Sequence, residues 1–473
     1  MALSTKTRKR LEVAMARREE AAEIANSIDS LLDTTISTTT TLYVETTGSD
    51  TNIGTQNSPF KTIQAAIDSI DNKVIKSKIT IQVGIGSFEA FAVDGSMFGT
   101  SGVSTIKSSQ VSTGLEIAGT WIVPTLTTGT VSGTMTGVAV DGAAVYTDPS
   151  QSWTVNNLKG KYLLVDSFYI PIISNTATTV TIASTTTTGT SYSVWDLGTV
   201  IDNSLAYVDT GAGTLSARVV VANVNGPINT FIEIRAFKVL ANNMPAGTGA
   251  VTTRNASCFF NNITVERTTG SAVGAYSLNG VTSNVALSRS VITHPASSGG
   301  MISSATAIAR FSVSQCFFTG GTNQLSTGSA AGQYLVSSTT FDSAGGGMQI
   351  GGENNIILSS GTRFINCTTG LFMTTSRSGA LTALPTLFFS GCATCVTATT
   401  TTLIMLGNCS GTGNTNGIVI TKGGRVQIGA TATLGATNEL SVDGVVGTLA
   451  TLRSNSPKVF PLVPNPYGTY IYE

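Results

Sequence analysis

The feature that most constrains the fold is a theme that recurs through the second half of the chain. Each copy has a short apolar run, often Phe beside Cys, followed by a turn of Asn, Gly or Thr. The copies begin at residues 258, 316, 339 and 362, and read CFFNNITVERT, CFFTGGTN, TTFDSAGGGMQI and TRFINCTTGLFMTT. Repeats of about 20 residues indicate stacked supersecondary units, and residues 354–373 contain nearly a whole one. We therefore predict an all-β solenoid body over residues 201–450.

The composition agrees with a β-rich fold and argues against several other classes. Only 11% of the 473 residues are charged and 50 are glycine, as expected for many tight turns. The hydrophobic fraction of 41% is too high for a disordered chain. The net charge of zero argues against nucleic-acid binding through phosphate contacts. No apolar run reaches the roughly 20 residues that span a bilayer, so we expect no membrane insertion.

The six cysteines lie between residues 258 and 409. The N-terminus lacks the apolar segment of a secretory signal, so we expect synthesis in a reducing cytosol and free thiols. Cys392 and Cys395 form a lone CxxC, and Cys367 and Cys409 are near in sequence. A four-thiolate zinc site would need such ligands. Because no second CxxC exists, we favour thiols that fill the β core, and we predict no metal and no cofactor.

Residues 1–34 are predicted to form an N-terminal α-helix, and residues 35–41 a linker. Residues 6–33 are rich in Ala, Glu, Arg and Leu, which favour helix. Apolar residues follow a heptad seam that is broken once by Arg18. The helix is either solvated on its own or trimerises and docks into a larger assembly. We favour the second interpretation because a free helix this rich in Ala has little stability alone.

Residues 42–99 begin with a strand, a polar loop and a short helix, in the sequence LYVETTGSDTNIGTQNSPFKTIQAAIDSI. Ser58 is predicted to cap the helix, with Pro59 as its first residue. The apolar residues Ile63, Ala66 and Ile67 fall on one helical face. Since the open end of a β stack exposes its core and its backbone groups, this helix is predicted to cover the first turn of the solenoid.

This opening stretch resembles the start of the pectate-lyase-like parallel β-helix domains of bacteriophage tailspikes. The matching positions are Tyr43, Val44, Gly48, Ser49, Asp50, Gly54, Ser58, Pro59, Phe60, Thr62, Ile63 and Ala66. The resemblance covers about 30 residues well. It implies a right-handed parallel β-helix and a homotrimer. It does not imply one activity, because that superfamily includes lyases, hydrolases and inactive binders.

Two further segments depart from the solenoid pattern. Residues 100–200 contain three closely spaced strands, predicted at 161–165, 169–174 and 179–183 and flanked by Trp153 and Trp195. We interpret this segment as an inserted small antiparallel β module whose aromatic residues form its core rather than a sugar platform. Residues 451–473 are rich in Pro and Tyr, and we predict a C-terminal arm or cap there.

Few residues of the predicted body suit catalysis. The single histidine, His294, stands in a turn-like sequence without a nucleophile elbow nearby, which argues against a Ser-His-Asp triad. Polysaccharide hydrolases use carboxylate pairs, and Asp342 and Glu353 could lie on facing turns of one repeat. Glu233 alternates with Arg235 along one strand, as a lyase site would require. These three acids are candidates, and ordinary solvated turn acids are the alternative for each.

The sequence therefore predicts a bacteriophage virion structural protein. We expect a homotrimeric tail spike or fibre that is attached to tail or capsid proteins by the N-terminal helix and that binds a host surface polysaccharide. One alternative is an active polysaccharide depolymerase of the same fold. Another is a head fibre or capsid decoration protein without a receptor role. The enzyme question stays open, and the scarcity of acids and of histidine favours a binder.

Overall fold

The structure, a computed structural model, describes Arg17, Glu20 and Glu23, and then residues 35–447 and 471–472. The described part has gaps at 71–73, 76, 95–113, 185–188, 203–218, 223–227, 242–248, 255, 268–273, 280–283, 295–301, 305–307, 328–331, 343–344, 352–353, 359–360, 374–379, 384–385, 400–402, 407–408, 422–424, 429–432 and 443–444.

The body is a parallel β-helix with three faces, so the predicted all-β solenoid is confirmed. Strands are numbered β1 to β43 along the chain. Face one consists of β2 (Thr40–Val44), β4 (Ile79–Val83), β7 (Gly114–Ala118), β22 (Asn284–Ser288), β25 (Ile308–Ser314), β28 (Gly332–Ser337), β31 (Asn354–Leu358), β34 (Ala380–Ala383), β37 (Leu403–Leu406), β40 (Arg425–Ile428) and β43 (Ile471–Tyr472).

Face two consists of β5 (Gly86–Phe88), β16 (Thr199–Ile201), β23 (Val291–Thr293), β26 (Phe317–Thr319), β29 (Thr340–Asp342), β32 (Thr362–Ile365), β35 (Leu387–Ser390) and β38 (Cys409–Thr412). Two long strands, β18 (Ile228–Leu240) and β20 (Ala256–Glu266), continue from face one into face two. A separate parallel pair is formed by β1 (Thr35–Ile36) and β3 (Val74–Ile75).

Face three consists of β6 (Phe91–Asp94), β17 (Val219–Ala222), β19 (Gly249–Arg254), β21 (Gly274–Asn279), β24 (Ile302–Ser304), β27 (Asn323–Thr327), β30 (Gly346–Ile350), β33 (Thr369–Met373), β36 (Thr394–Thr399), β39 (Asn414–Thr421), β41 (Ala436–Val442) and the antiparallel β42 (Val445–Gly447). Residues 354–373 carry β31, β32 and β33, one strand of each face. They therefore form most of one turn of the helix, called a rung below, as the repeat pattern predicts.

The core is built from stacked, inward-pointing apolar residues. In β4, Ile79, Ile81 and Val83 are buried while the residues between them are partly exposed, which is the alternation expected of a strand with one buried face. On face two, Phe318, Phe341, Phe364 and Phe389 of successive rungs stack with ring centroids 5.0–5.3 Å apart. Such in-register aromatic stacks add to the burial energy of each ring.

The chain bends between faces one and two at residues with a positive φ. Asn262 has a φ of 56° in β20, and Gln315 has a φ of 53° between β25 and β26. Asn tolerates this left-handed region better than most residues. The Asn262 amide nitrogen donates to the backbone oxygens of Tyr169 (2.7 Å) and Arg289 (3.2 Å), which holds the bend in place.

The short helix α1 (Ile63–Asp68) covers the core at the first rung. Ile63, Ala66 and Ile67 are buried in the main core beside β2, β4 and β6. The predicted cap residue is wrong: Thr62, not Ser58, caps the helix, and its hydroxyl accepts from the Ala65 amide (3.1 Å). The loop is fixed by Asp50, whose Oδ1 accepts from the backbone amides of residues 61 (3.0 Å) and 62 (2.8 Å).

The predicted antiparallel module is present as one insertion between β7 of face one and β16 of face two. Its strands are β8 (Trp121–Ile122), β9 (Ser132–Thr134), β10 (Thr136–Val140), β11 (Ala143–Thr147), β12 (Tyr162–Val165), β13 (Phe168–Asn175), β14 (Thr179–Ile182) and β15 (Ser191–Leu197). The module has its own core, which includes Trp153. Because β7 pairs with β4 and β18, residues 114–118 belong to the body.

The module packs on the bend between faces one and two. Tyr162 Oη lies 2.9 Å from Thr264 Oγ1 in a buried hydrogen bond. Lys159 Nζ lies 2.9 Å from Asp342 Oδ2, and this carboxylate is 9% exposed. Polar contacts spread over several rungs therefore fix the orientation of the module on the body.

Two terminal predictions lie largely outside the described residues. Of the N-terminal helix only Arg17, Glu20 and Glu23 are described, and all three are helical and exposed. Of the C-terminal arm only β43 is described, and it extends face one beyond β40. Among the described residues, no helix combines the length and apolar character needed to cross a membrane.

Candidate functional site

Two glutamates meet on the outer surface of face one. Ile232 and Ile234 of β18 are buried, so Glu233 between them points outward. In the parallel register Glu233 lies beside Glu116 of β7, which in turn lies beside Thr80 of β4. Neighbouring strands are about 4.8 Å apart, so the two carboxylates occupy adjacent positions.

Glu116 is held as a carboxylate by two cations. Lys78 Nζ and Arg235 Nε both form ion pairs with its side chain, which is 7% exposed, and the Thr80 hydroxyl donates to Oε2 (3.1 Å). Burial alone would raise the pKa of Glu116. The hydrogen bonds and positive charges of Lys78 and Arg235 outweigh this effect, so the pKa of Glu116 is lowered from its ordinary value.

Glu233 has the opposite tendency. Burial is the main cause of a raised pKa for Glu233, and the negative charge of Glu116 adds to it. The nearby Arg235 and a hydrogen bond from the Asn261 side chain oppose the shift without cancelling it. Glu233 is thus the member of the pair that takes up a proton first as pH falls.

Two carboxyl groups whose pKa values are pushed apart can serve as an acid and a base. Here the geometry limits that chemistry. Glycoside hydrolases place the two carboxyl groups on either side of the scissile bond. Glu116 and Glu233 are instead neighbours on one surface, and both cations are already bound to Glu116. The arrangement is therefore better suited to binding a polar ligand than to cleaving one.

An apolar groove continues from Glu233 along face one. Phe259 follows Glu233 in the register, and then come Ala286 and Ser312. The groove has a volume of about 430 Å³ and is lined by Ser257, Cys258, Phe259, Asn284, Val285, Ala286, Arg310 and Ser312. Binding sites combine such apolar floors with a few polar groups that fix orientation.

The module contributes an aromatic cluster of Trp121, Tyr169 and Trp195. The rings of Trp121 and Tyr169 stack with centroids 3.9 Å apart, and Trp195 meets Tyr169 edge-on at 6.0 Å. Burial raises the pKa of Tyr169, and the positive charge of Arg235 opposes this. Arg235 thus acts on both Glu116 and Tyr169.

Of the two described acids that the sequence proposed, Glu233 lies in this site and Asp342 does not. Asp342 is buried and forms the ion pair with Lys159, and its Oδ1 accepts from Asn366 Nδ2 (3.4 Å). Glu353 lies outside the described residues, so the proposed pair of Asp342 and Glu353 stays a prediction. Sequence reasoning missed Glu116, because residues 100–200 were assigned to the module as a whole. The alternation of GLEIA, with Leu115 and Ile117 inward, is the signal that would have found it.

All six cysteines are buried free thiols. Burial raises the pKa of Cys316 and of Cys409 to about 12. A hydrogen bond from Cys367 lowers the pKa of Cys392. In the described part of the chain, no three His, Cys, Asp or Glu residues are grouped as metal ligands. The thiols thus act as small core residues.

His294 is buried and directly follows β23. Burial lowers its pKa to about 4, and the positive charge of Arg267 adds to this shift. The neutral imidazole is packed inside the rungs, so the turn-like sequence around it did not predict its burial.

No protein-family model matches the chain, and no curated protein matches it. Among solved structures it is similar to a glycoside hydrolase, at 10% identity and a TM-score of 0.33, over 85% of this chain and 95% of that one. It is also similar to the GH136 lacto-N-biosidase from Eubacterium ramulus, at 9% identity and a TM-score of 0.32, over 86% and 68%. A third structure is XylC with xylose, at 10% identity and a TM-score of 0.21, over 86% of each chain. Likeness at these TM-scores carries no argument about function.

Proposed function

We propose that this chain is a bacteriophage virion structural protein, a trimeric tail spike or fibre that binds a host surface glycan on face one. The observation that carries the proposal is the groove that begins at Phe259. Sugars present apolar ring faces that stack on aromatic side chains and hydroxyls that need hydrogen-bond partners. In the groove, Phe259 can stack on a sugar ring, and Asn284, Arg310 and Ser312 can form hydrogen bonds with its hydroxyls.

Attachment to the particle is assigned to residues 1–34. Their heptad pattern supports a trimer-forming helix that docks on tail or capsid proteins. Deleting these residues should yield folded protein that no longer assembles onto particles. If the shortened protein assembled normally, the anchoring role would be wrong. Electron microscopy of particles separates a tail spike from a head fibre by its position.

The second candidate is a polysaccharide depolymerase, and the opposite pKa shifts of Glu116 and Glu233 favour it. In that function Glu233, with its raised pKa, donates a proton to the leaving oxygen, while the ionised Glu116 stabilises positive charge on the sugar. A water molecule then adds to the anomeric carbon and returns a proton to Glu233. The ion pairs of Glu116 with Lys78 and Arg235 weaken this candidate, because they offset the negative charge that the mechanism needs.

The experiment that separates these functions uses purified full-length protein and host surface polysaccharide. Binding and the release of new reducing ends are followed over hours. We expect binding without cleavage. Cleavage that is lost in Glu233→Gln and kept in the control Glu89→Gln, an exposed loop acid, would establish the depolymerase instead. Absence of both binding and cleavage would contradict the glycan-binding role.

A further inference from the structure

We infer that the glycan bound on face one is acidic, with its anionic substituent at Arg310 and an apolar ring face on Phe259. This inference rests on the proposed glycan-binding function and names the substrate class. An anionic saccharide here means one that carries a carboxylate, sulfate or phosphate group.

The charge of the groove is the first argument. Among the described residues that line the groove, Arg310 alone is charged, and its side chain is exposed. Its register neighbours on face one are Asn284 and Gln333, both neutral amides. Within the described residues no carboxylate forms an ion pair with Arg310, which leaves its guanidinium fork open to an anion.

The two nearby glutamates do not prevent an anion from binding at Arg310. Glu116 and Glu233 are accompanied by Lys78 and Arg235, so the four side chains carry no net charge. Any remaining field is screened by salt over about 8–10 Å. The described lining of the groove therefore carries one positive charge.

The arrangement of aromatic ring and cation is the second argument. From Phe259 the register leads through Ala286 to Ser312, and Arg310 lies two residues before Ser312 on the same strand. Two strand spacings and two residues place the Cα atoms of Phe259 and Arg310 about 12 Å apart. Small side chains fill the space between them, so a ligand can lie flat across Ala286 and reach both.

A second copy of the chain is the other conceivable occupant of an apolar groove. If identical faces met, each copy would bring its own Arg310, and the like charges would repel unless each found a carboxylate. The described lining offers no such carboxylate. The charge pattern therefore favours an anionic ligand over a copy of the chain.

The test is titration calorimetry of the full-length protein with a panel of oligosaccharides. Each uronate-containing oligosaccharide is paired with the same compound after reduction of its carboxyl groups. The variants are Arg310→Gln, Arg310→Lys and Phe259→Ala, with Lys61→Gln as a control that removes an exposed cation far from the groove. Sedimentation of each variant reports its oligomeric state.

We expect uronate members to bind the wild type at least about 10-fold more tightly than their reduced partners, since charge-assisted hydrogen bonds of this kind are worth roughly 1.5–3 kcal/mol. Arg310→Gln should remove that preference, and Arg310→Lys should retain part of it because it keeps the charge without the fork. Phe259→Ala should weaken the binding of the acidic and of the reduced oligosaccharide in each pair. Lys61→Gln should leave the binding of both unchanged.

Three results would overturn the inference. If reduced members bind as well as acidic ones and Arg310→Gln changes nothing, the glycan is neutral and the proposed function survives. If no member binds, the proposed function fails with the inference. If Arg310→Gln alters the oligomeric state rather than binding, the groove is an interface between copies.

Discussion

At the scale of single residues, the register of a parallel β-helix explains how two glutamates acquire different properties. Glu116 and Glu233 are separated by an inserted module of the chain, yet in-register pairing places them side by side. Arg235 and Lys78 form their ion pairs with Glu116. Glu233 is left with the cost of burial and with a negative neighbour, so its proton is held more tightly than that of Glu116.

This difference predicts opposite effects of pH on stability. The ordinary pKa of both groups is 4.5. Glu116 contributes stability above that pH, and the contribution is lost as pH falls through its lowered pKa. Glu233 costs stability as pH rises from 4.5 through its raised pKa.

We therefore expect Glu116→Gln to lose about 2 kcal/mol at pH 7, because it leaves two cations without a carboxylate. Glu233→Gln should unfold at pH 7 at the same denaturant concentration as wild type or a higher one. Both expectations are checked by measuring the urea concentration at the midpoint of unfolding for each variant at pH 4, 5.5 and 7. A larger loss in Glu233→Gln than in Glu116→Gln at pH 7 would mean that the roles are reversed.

Asp342 is predicted to be a structural residue of the module interface. Asp342→Asn removes the partner of Lys159 and should cost about 1–2 kcal/mol, with faster proteolysis of the module. The control Asp196→Asn breaks the more exposed pair with Lys161 and should cost less than about 1 kcal/mol. Loss of polysaccharide cleavage at unchanged stability would show instead that Asp342 is catalytic.

At the scale of the elements, the aromatic stack of face two should dominate the stability of the rungs. Phe341 is fully buried between Phe318 and Phe364. Phe341→Ala should cost about 3–5 kcal/mol in equilibrium unfolding. Phe168→Ala, a ring that is 49% exposed on the module, should cost no more than about 1 kcal/mol. Equal losses of stability in the two variants would show that the buried aromatic stack contributes no more than the exposed ring of Phe168.

The same elements show what the sequence can predict. The three module strands were predicted within two residues at each end, because their apolar patterns are local. The cap helix was predicted too, but it begins at Ile63 and not at Pro59. The capping residue was wrong, since Thr62 is selected by the Asp50 loop that folds back on it. The partner of Asp342 is Lys159, a residue of the inserted module far away in the chain. No local pattern reports such a contact.

At the scale of the whole molecule, the six thiols report on global unfolding. All six are buried in the core, and burial raises the pKa of Cys316 and Cys409 to about 12. Because all six are buried out of reach of a thiol reagent, none should react in the native state. All six should react together at the rate of unfolding. Rapid labelling of Cys367 or Cys392 in native protein would contradict their placement in the core.

The most direct test of the account is an experimental structure of the full-length protein with an acidic oligosaccharide bound. The account predicts a sugar ring against Phe259 and an anionic group about 3 Å from the guanidinium of Arg310. A sugar bound only to the module, or a groove covered by a neighbouring copy, would contradict it.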